Sequence, residues 1–92
     1  MFAIKNEDLE PLIARELAKS KIDHEERFEN AEQADEVLFE EISEANIDMT
    51  MMLLHYAHGD KHISGVERNA MNGIKELIQV VAMCRKWKES GV

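Results

Sequence analysis

A chain of 92 residues has room for one domain, 1–92, with a modest core, so oligomerisation is a ready way for it to bury more surface. Its formal net charge of −8, from 19 acidic and 11 basic residues, argues against a phosphate-backbone binder, because Lys and Arg are scattered and build no basic face. The single cysteine, Cys84, excludes an internal disulfide, and no apolar run approaches the ~20 residues of a membrane-spanning helix.

With Met1-Phe2-Ala3-Ile4-Lys5 lacking the basic start and apolar core of a signal peptide, the expected setting is the cytoplasm, away from membranes. One Pro and four Gly provide little of the turn punctuation a sheet needs, and Ala, Glu, Leu, Lys and Met outnumber the β-branched residues. The expected fold class is therefore all-α.

In chain order, Leu9, Leu12, Ile13 and Leu17 follow helical spacing and predict a first helix from about Asp8 to about Lys19. Pro11 is best tolerated in a first turn, which sets that start. Ser20 to Glu29 reads as a connecting loop, anchored by Ile22 and Phe28. Asn30 caps a second helix, with Gln33 at the reciprocal capping-box position, and the helix continues to about Ala57 before Gly59-Asp60. Ser64, with Glu67 three residues on, predicts the cap of a third helix that runs to about Glu89 before Ser90-Gly91. Gly73 inside it costs roughly 1 kcal/mol relative to Ala unless close packing uses it.

The second helix carries an apolar stripe of Leu38, Ile42, Ala45, Met49, Met52 and Tyr56. Beside it runs Val37, Glu41, Glu44, Asp48, Met51 and His55, so three acids flank the seam. The third helix aligns Glu76 with Val80, Met83 and Trp87, and Gln79 stands one turn from Glu76. A reversal near Asp60 and Lys61 sets Glu44 opposite Leu77 and Glu41 opposite Val80, which brings Glu41, Glu44, Glu76 and Gln79 to one height. Carboxylates crowded in this way repel one another, and a divalent cation relieves the conflict. Oxygen ligands without Cys or His favour Mg²⁺ or Mn²⁺ over Zn²⁺. The plainer alternative is a solvated acidic face, since Glu pairs four apart are common on helix surfaces.

At these residues the chain resembles the MazG-like family. The run Ala34-Asp35-Glu36-Val37-Leu38-Phe39-Glu40-Glu41-Ile42-Ser43-Glu44 is similar to the family's Glu-Glu-x-x-Glu half-motif. Lys75-Glu76-Leu77-Ile78-Gln79-Val80-Val81-Ala82-Met83-Cys84 is similar to its Glu-x-x-Asp half, in the variant of small phage and prophage relatives. The resemblance covers about Ala31 to Trp87. It implies a nucleoside triphosphate pyrophosphohydrolase that releases pyrophosphate from (d)NTPs with Mg²⁺ and assembles as a dimer or tetramer around a four-helix core. Carried over by position, Glu41, Glu44 and Glu76 are metal ligands, Gln79 stands at the fourth ligand position, and Glu40 is an outer ligand or water-orienting base. Lys75, Arg85 and Lys86 are the candidates for phosphate contacts. Two departures stand out: Gln79 replaces the final Asp and brings no charge, and the stretch between Glu44 and Glu76 is longer than the family usually shows.

His55, His58 and His62 flank the second turn, and with no cysteine nearby they do not predict a zinc site. Trp87 and Tyr56 could stack on a base, but each sits in a core stripe. Met49-Thr50-Met51-Met52-Leu53-Leu54 is apolar on almost every face, which with Ile63 and Val66 predicts a subunit interface in a homodimer. Cys84 falls in the stripe Ala70, Ile74, Leu77, Val81 and reads as a buried small hydrophobe. The rival to the enzyme is a non-enzymatic helical protein on the same fold that binds a partner through its Met-rich face.

Overall fold

The computed structural model describes residues 2–58 and 62–92. They form three helices, α1 (Asn6–Asp23), α2 (Ala31–Ala57) and α3 (Ile63–Ser90), and no strand among the described residues, so the fold is all-α. The reversal expected at Gly59, Asp60 and Lys61 lies outside the described residues.

The start of α1 is fixed by Asp8, whose Oδ2 accepts the Lys5 amide at 2.8 Å. Pro11 lies inside the helix rather than at its start. The expected loop from Ser20 begins later than predicted, because α1 continues to Asp23. That extra turn aims Ser20 at α3 and leaves Ile22 83% exposed, so Phe28 alone anchors the connection. Its amide donates to Ser90 Oγ at 2.9 Å, and Ser90 Oγ donates to the Lys86 carbonyl at 2.7 Å, which fixes the loop to the last turn of α3.

Asn30 caps α2 as expected, its Oδ1 accepting the Gln33 amide at 2.8 Å. Gln33 reaches back one residue further than a capping box requires, to the Glu29 amide at 2.7 Å. Ser64 does not cap α3. The helix begins at Ile63 with His62 as its cap residue, and Ser64 is already within the first turn. Gly91, in the left-handed region at φ 71°, ends α3.

α2 and α3 form the antiparallel hairpin. Asn69 Nδ2 donates to Asp48 Oδ1 at 3.2 Å, and His55 lies over Gly65 nearer the turn. Buried Ala45, Gly65 and Gly73 keep the two helices close. α1 packs against α3 only, held by Glu10–Arg85 and Lys21–Glu89 ion pairs, the latter at 2.7 Å. The core lies in the half away from the hairpin turn, where Ile13, Phe28, Ala34, Ala82 and Met83 are buried beneath Leu17, Val37 and Trp87.

One covering helix cannot enclose both faces of the hairpin. Ile74, Leu77 and Val81, expected in the core, are exposed because α1 takes the opposite side of α3, and Cys84 is half-buried. Tyr56 is exposed as well, while Trp87 is half-buried and donates Nε1–H to the Val92 carbonyl at 2.8 Å.

Candidate metal centre and cleft

The hairpin places Glu41 and Glu44 of α2 against Glu76 of α3. One carboxylate oxygen from each lies within 4.8 Å of the others. Residues 41 and 44 share a helix face at a spacing of three, and the antiparallel pairing supplies the third acid from the facing helix. All three are half-buried. The acids lie in the α2–α3 contact itself, and of the apolar stripe they were expected to flank, Ala45 is buried and Leu38 and Met52 are half-buried while Ile42, Met49 and Tyr56 are exposed.

The electrostatics are unfavourable in the absence of a cation. Burial pushes the Glu41 carboxyl up from its ordinary value, and the charges of Glu44 and Glu40 raise it further. Glu76 is raised by burial first, then by the adjoining Glu44 carboxyl and by the charges of Glu41 and Asp48. Glu41 Oε2 and Glu76 Oε2 are closed to solvent and have no hydrogen-bond partner. Three converging carboxylates, two of them with an orphaned buried oxygen, are a donor set suited to a hard divalent cation.

A cleft of about 690 Å³ opens beside this cluster. Its floor is α3 (Gln79, Met83, Lys86), its walls are α1 (Glu16, Lys19, Ser20) and α2 (Val37, Glu40, Glu41), and the loop carrying Arg27 and Phe28 closes one end. A cleft exists here because α1 and α2 both lean on α3 without packing on each other.

The predicted site residues separate into groups. Glu41, Glu44 and Glu76 meet, and Glu41 also lines the cleft with Glu40, which is exposed. Gln79 lines the cleft and donates Nε2–H to Glu16 Oε2 at 3.4 Å. Lys86 lines the cleft too, whereas Lys75 is exposed on α3. Arg85 is held in a two-point pair with Glu10, its Nη2 2.7 Å from Oε1, and the guanidinium keeps the Glu10 carboxyl below the ordinary range. Sequence reasoning missed Glu16, Lys19 and Arg27. They belong to α1 and its loop, and nothing in their spacing signals which face of α3 they meet.

The three histidines do gather near the turn, with ring centroids of His55 and His58 at 6.1 Å and 5.8 Å from His62. Among the described residues, however, the three glutamates form the one group of His, Cys, Asp or Glu side chains whose ligand atoms converge. No helix of the described residues is long and apolar enough to cross a membrane. Comparison with known proteins found no family model, no curated protein and no solved structure that matches this chain.

Proposed function

We propose that this protein is a divalent-cation-dependent nucleotide pyrophosphohydrolase that converts a (d)NTP to the monophosphate and pyrophosphate in the cytoplasm. The observation that carries the reading is the convergence of Glu41, Glu44 and Glu76 within 4.8 Å, with two of their oxygens buried and unpartnered. These three side chains would hold Mg²⁺ or Mn²⁺. The cation supplies neutralisation of the polyphosphate charge and a lowered pKa for a water molecule.

The remaining roles belong to the protein. Glu40 and Glu41 line the cleft, so a substrate lying in it reaches the acids from one side. Water attacks the α-phosphorus, the bond from that phosphorus to the bridging oxygen breaks, and the pair of electrons leaves with pyrophosphate. Glu40, the exposed carboxylate at the rim, accepts the proton of the attacking water. Gln79 offers an amide oxygen where the resembled motif has a carboxylate, and Glu16 stands beside it on α1. The apolar face of the hairpin opposite α1 supports assembly as a homodimer or tetramer with a four-helix core.

The deciding experiment measures pyrophosphate release from a panel of (d)NTPs with Mg²⁺ or Mn²⁺, alongside calorimetric titration of each metal. Release that disappears in Glu41→Gln/Glu44→Gln, together with metal binding, is the expected result. Absence of both binding and release in the unmodified protein overturns the reading.

A second reading has its own observation. Ile42, Met49, Leu53, Ile74 and Leu77 are exposed, a large apolar surface for so small a chain. On that reading the protein is a non-enzymatic helical module whose acids stabilise nothing but solubility. It predicts full function after neutralising all three glutamates.

A further inference from the structure

On the floor of the cleft, Lys86 is only 3% exposed. Its Nζ donates to Ser20 Oγ at 3.1 Å and sits 4.9 Å from the centroid of the Phe28 ring. Among the described residues no carboxylate is within ion-pairing distance of it, although the chain carries 19 acids. A buried ammonium held by one hydroxyl and one ring face is under-satisfied: three donors meet one acceptor. A Met or Leu in its place would pack the same space without the desolvation penalty. Lys19 and Arg27 line the same cleft and likewise make no ion pair among the described residues. Lys19, Arg27 and Lys86 thus share the cleft with Glu16, Asp23, Glu25, Glu40 and Glu41, and Glu25 is the acid whose charge acts on Lys86.

Lys86 and Gln79 meet neighbouring turns of α1. Ser20 follows Glu16 by one turn of α1, and neighbours at that spacing lie about 5–6 Å apart. Glu16 touches Gln79 and Ser20 touches Lys86, so on α1 the partners of Gln79 and Lys86 are one helical turn apart. The Lys86 side chain also leans towards the N-terminus of α3, which is the direction of Gln79.

We propose that Lys86, seated on Ser20 and Phe28, is an anion-binding residue that receives the terminal phosphoryl groups of a polyphosphate lying along the cleft. In the context of the hydrolase reading, on which the identity of the ligand rests, these are the β and γ phosphates that leave as pyrophosphate. The ammonium donates hydrogen bonds to the oxygens on which negative charge grows as the bond to the α-phosphorus breaks. Lys19 and Arg27 offset the charges of Asp23 and Glu25 in the same cleft, and Glu40 and Glu41 disfavour an anion unless a cation is bound beside them.

Inorganic tripolyphosphate is the probe, and Trp87, the only tryptophan and the neighbour of Lys86 in sequence, is the fluorescent reporter. Tripolyphosphate is titrated with saturating Mg²⁺ and again in chelator, into the unmodified protein, Lys86→Met and Lys86→Gln. The expected result is binding by the unmodified protein that both variants weaken by roughly tenfold or more, as loss of a charge-assisted hydrogen bond implies. Folding is checked by circular dichroism. Lys86→Gln keeps a polar N–H donor, one atom shorter and without the charge, and so serves if Lys86→Met does not fold. A nucleoside monophosphate, which lacks the terminal groups, is expected to bind the variants within about twofold of the unmodified protein. Unchanged tripolyphosphate affinity in the variants overturns the proposal, as does no binding by the unmodified protein in either buffer. Lys86-dependent tripolyphosphate binding without any (d)NTP hydrolysis leaves the anion site standing and removes the hydrolase. Hydrolysis that depends on Glu41 but not on Lys86 does the reverse.

Discussion

Gln79 donates its side-chain amide to Glu16, 3.4 Å away across the contact between α3 and α1. The helix that lacks an acid at position 79 therefore has a carboxylate beside that position, supplied by an element 63 residues earlier in the chain. If the acid cluster binds a cation, Glu16 is the residue placed to restore the missing negative charge. Glu16→Gln is expected to weaken Mg²⁺ binding by about tenfold, on the order of the worth of one charged contact. Gln79→Asp is expected to tighten it, provided Glu16 is neutralised in the same protein so that two carboxylates do not face each other. Calorimetry on the two single variants and the double variant decides the point, and a null effect of Glu16→Gln would sink it.

A second prediction follows from the raised carboxyls of Glu41 and Glu76. The folded chain holds these protons more tightly than the unfolded chain does. Their contribution therefore favours folding below the ordinary carboxylate pKa and is lost as pH rises through the raised folded values. Without metal, moving from about pH 5 to about pH 7 should lower the melting temperature, and Glu76→Gln should flatten that slope and raise stability at neutral pH. Mg²⁺ should reverse the trend, because cation binding displaces the protons. An equal slope in Glu76→Gln and the unmodified protein would show that the net charge of the whole chain, not this cluster, sets the pH dependence.

Much of this arrangement was legible in the sequence, because it depends on periodicity within long helices. The three-and-four spacing from Glu41 to Asp48 and the position of Glu76 fixed which acids could meet once the hairpin closed, and Asn30 marked the start of α2. The covering helix was not legible. Ser20 is a weak helix former and reads as the start of a loop, yet contact with Met83 and Lys86 carries α1 on to Asp23, a case of tertiary packing overriding propensity. That extension makes the cleft and exposes Ile22. Ser64 misled for a different reason: its capping-box spacing is genuine, but the chain enters the helix two residues earlier, at His62. The burial of the stripe from Ala70 to Cys84 was also overestimated, since a stripe reads the same whether another helix of this chain or a second molecule covers it.

The two helical glycines of the hairpin should respond in opposite directions to alanine. A Cβ at Gly65 would lie 2.7 Å from His55 Nδ1 and 2.8 Å from Cγ, so the ring must move. A Cβ at Gly73 meets only the Asp48 Cβ at 3.7 Å, an ordinary contact. Gly73→Ala should stabilise by roughly 0.5–1 kcal/mol through helix propensity. Gly65→Ala should destabilise by about 1–3 kcal/mol, the usual cost of overpacking, less what propensity returns. Denaturant unfolding measures both, and His55→Ala should rescue Gly65→Ala if the ring is the obstacle.

The exposed stripe of α3 offers the sharpest test of assembly. Ile74, Leu77 and Val81 lie on the side of α3 opposite α1, and Ile42 and Met49 of α2 are exposed on the same side of the hairpin. A second copy related by a two-fold axis would set these stripes against their own equivalents and complete a four-helix core. Each of these side chains is already about half covered, so covering the rest contributes about 1 kcal/mol apiece. Leu77→Glu would place two like charges near the axis of such a dimer while costing the lone subunit little, because its side chain is already half in water. The expected outcome is a dimer for the unmodified protein in sedimentation velocity and a folded monomer for Leu77→Glu, with helical content retained. A monomeric unmodified protein at micromolar concentration would leave this face to a different partner, and would favour the partner-binding reading over a self-contained enzyme.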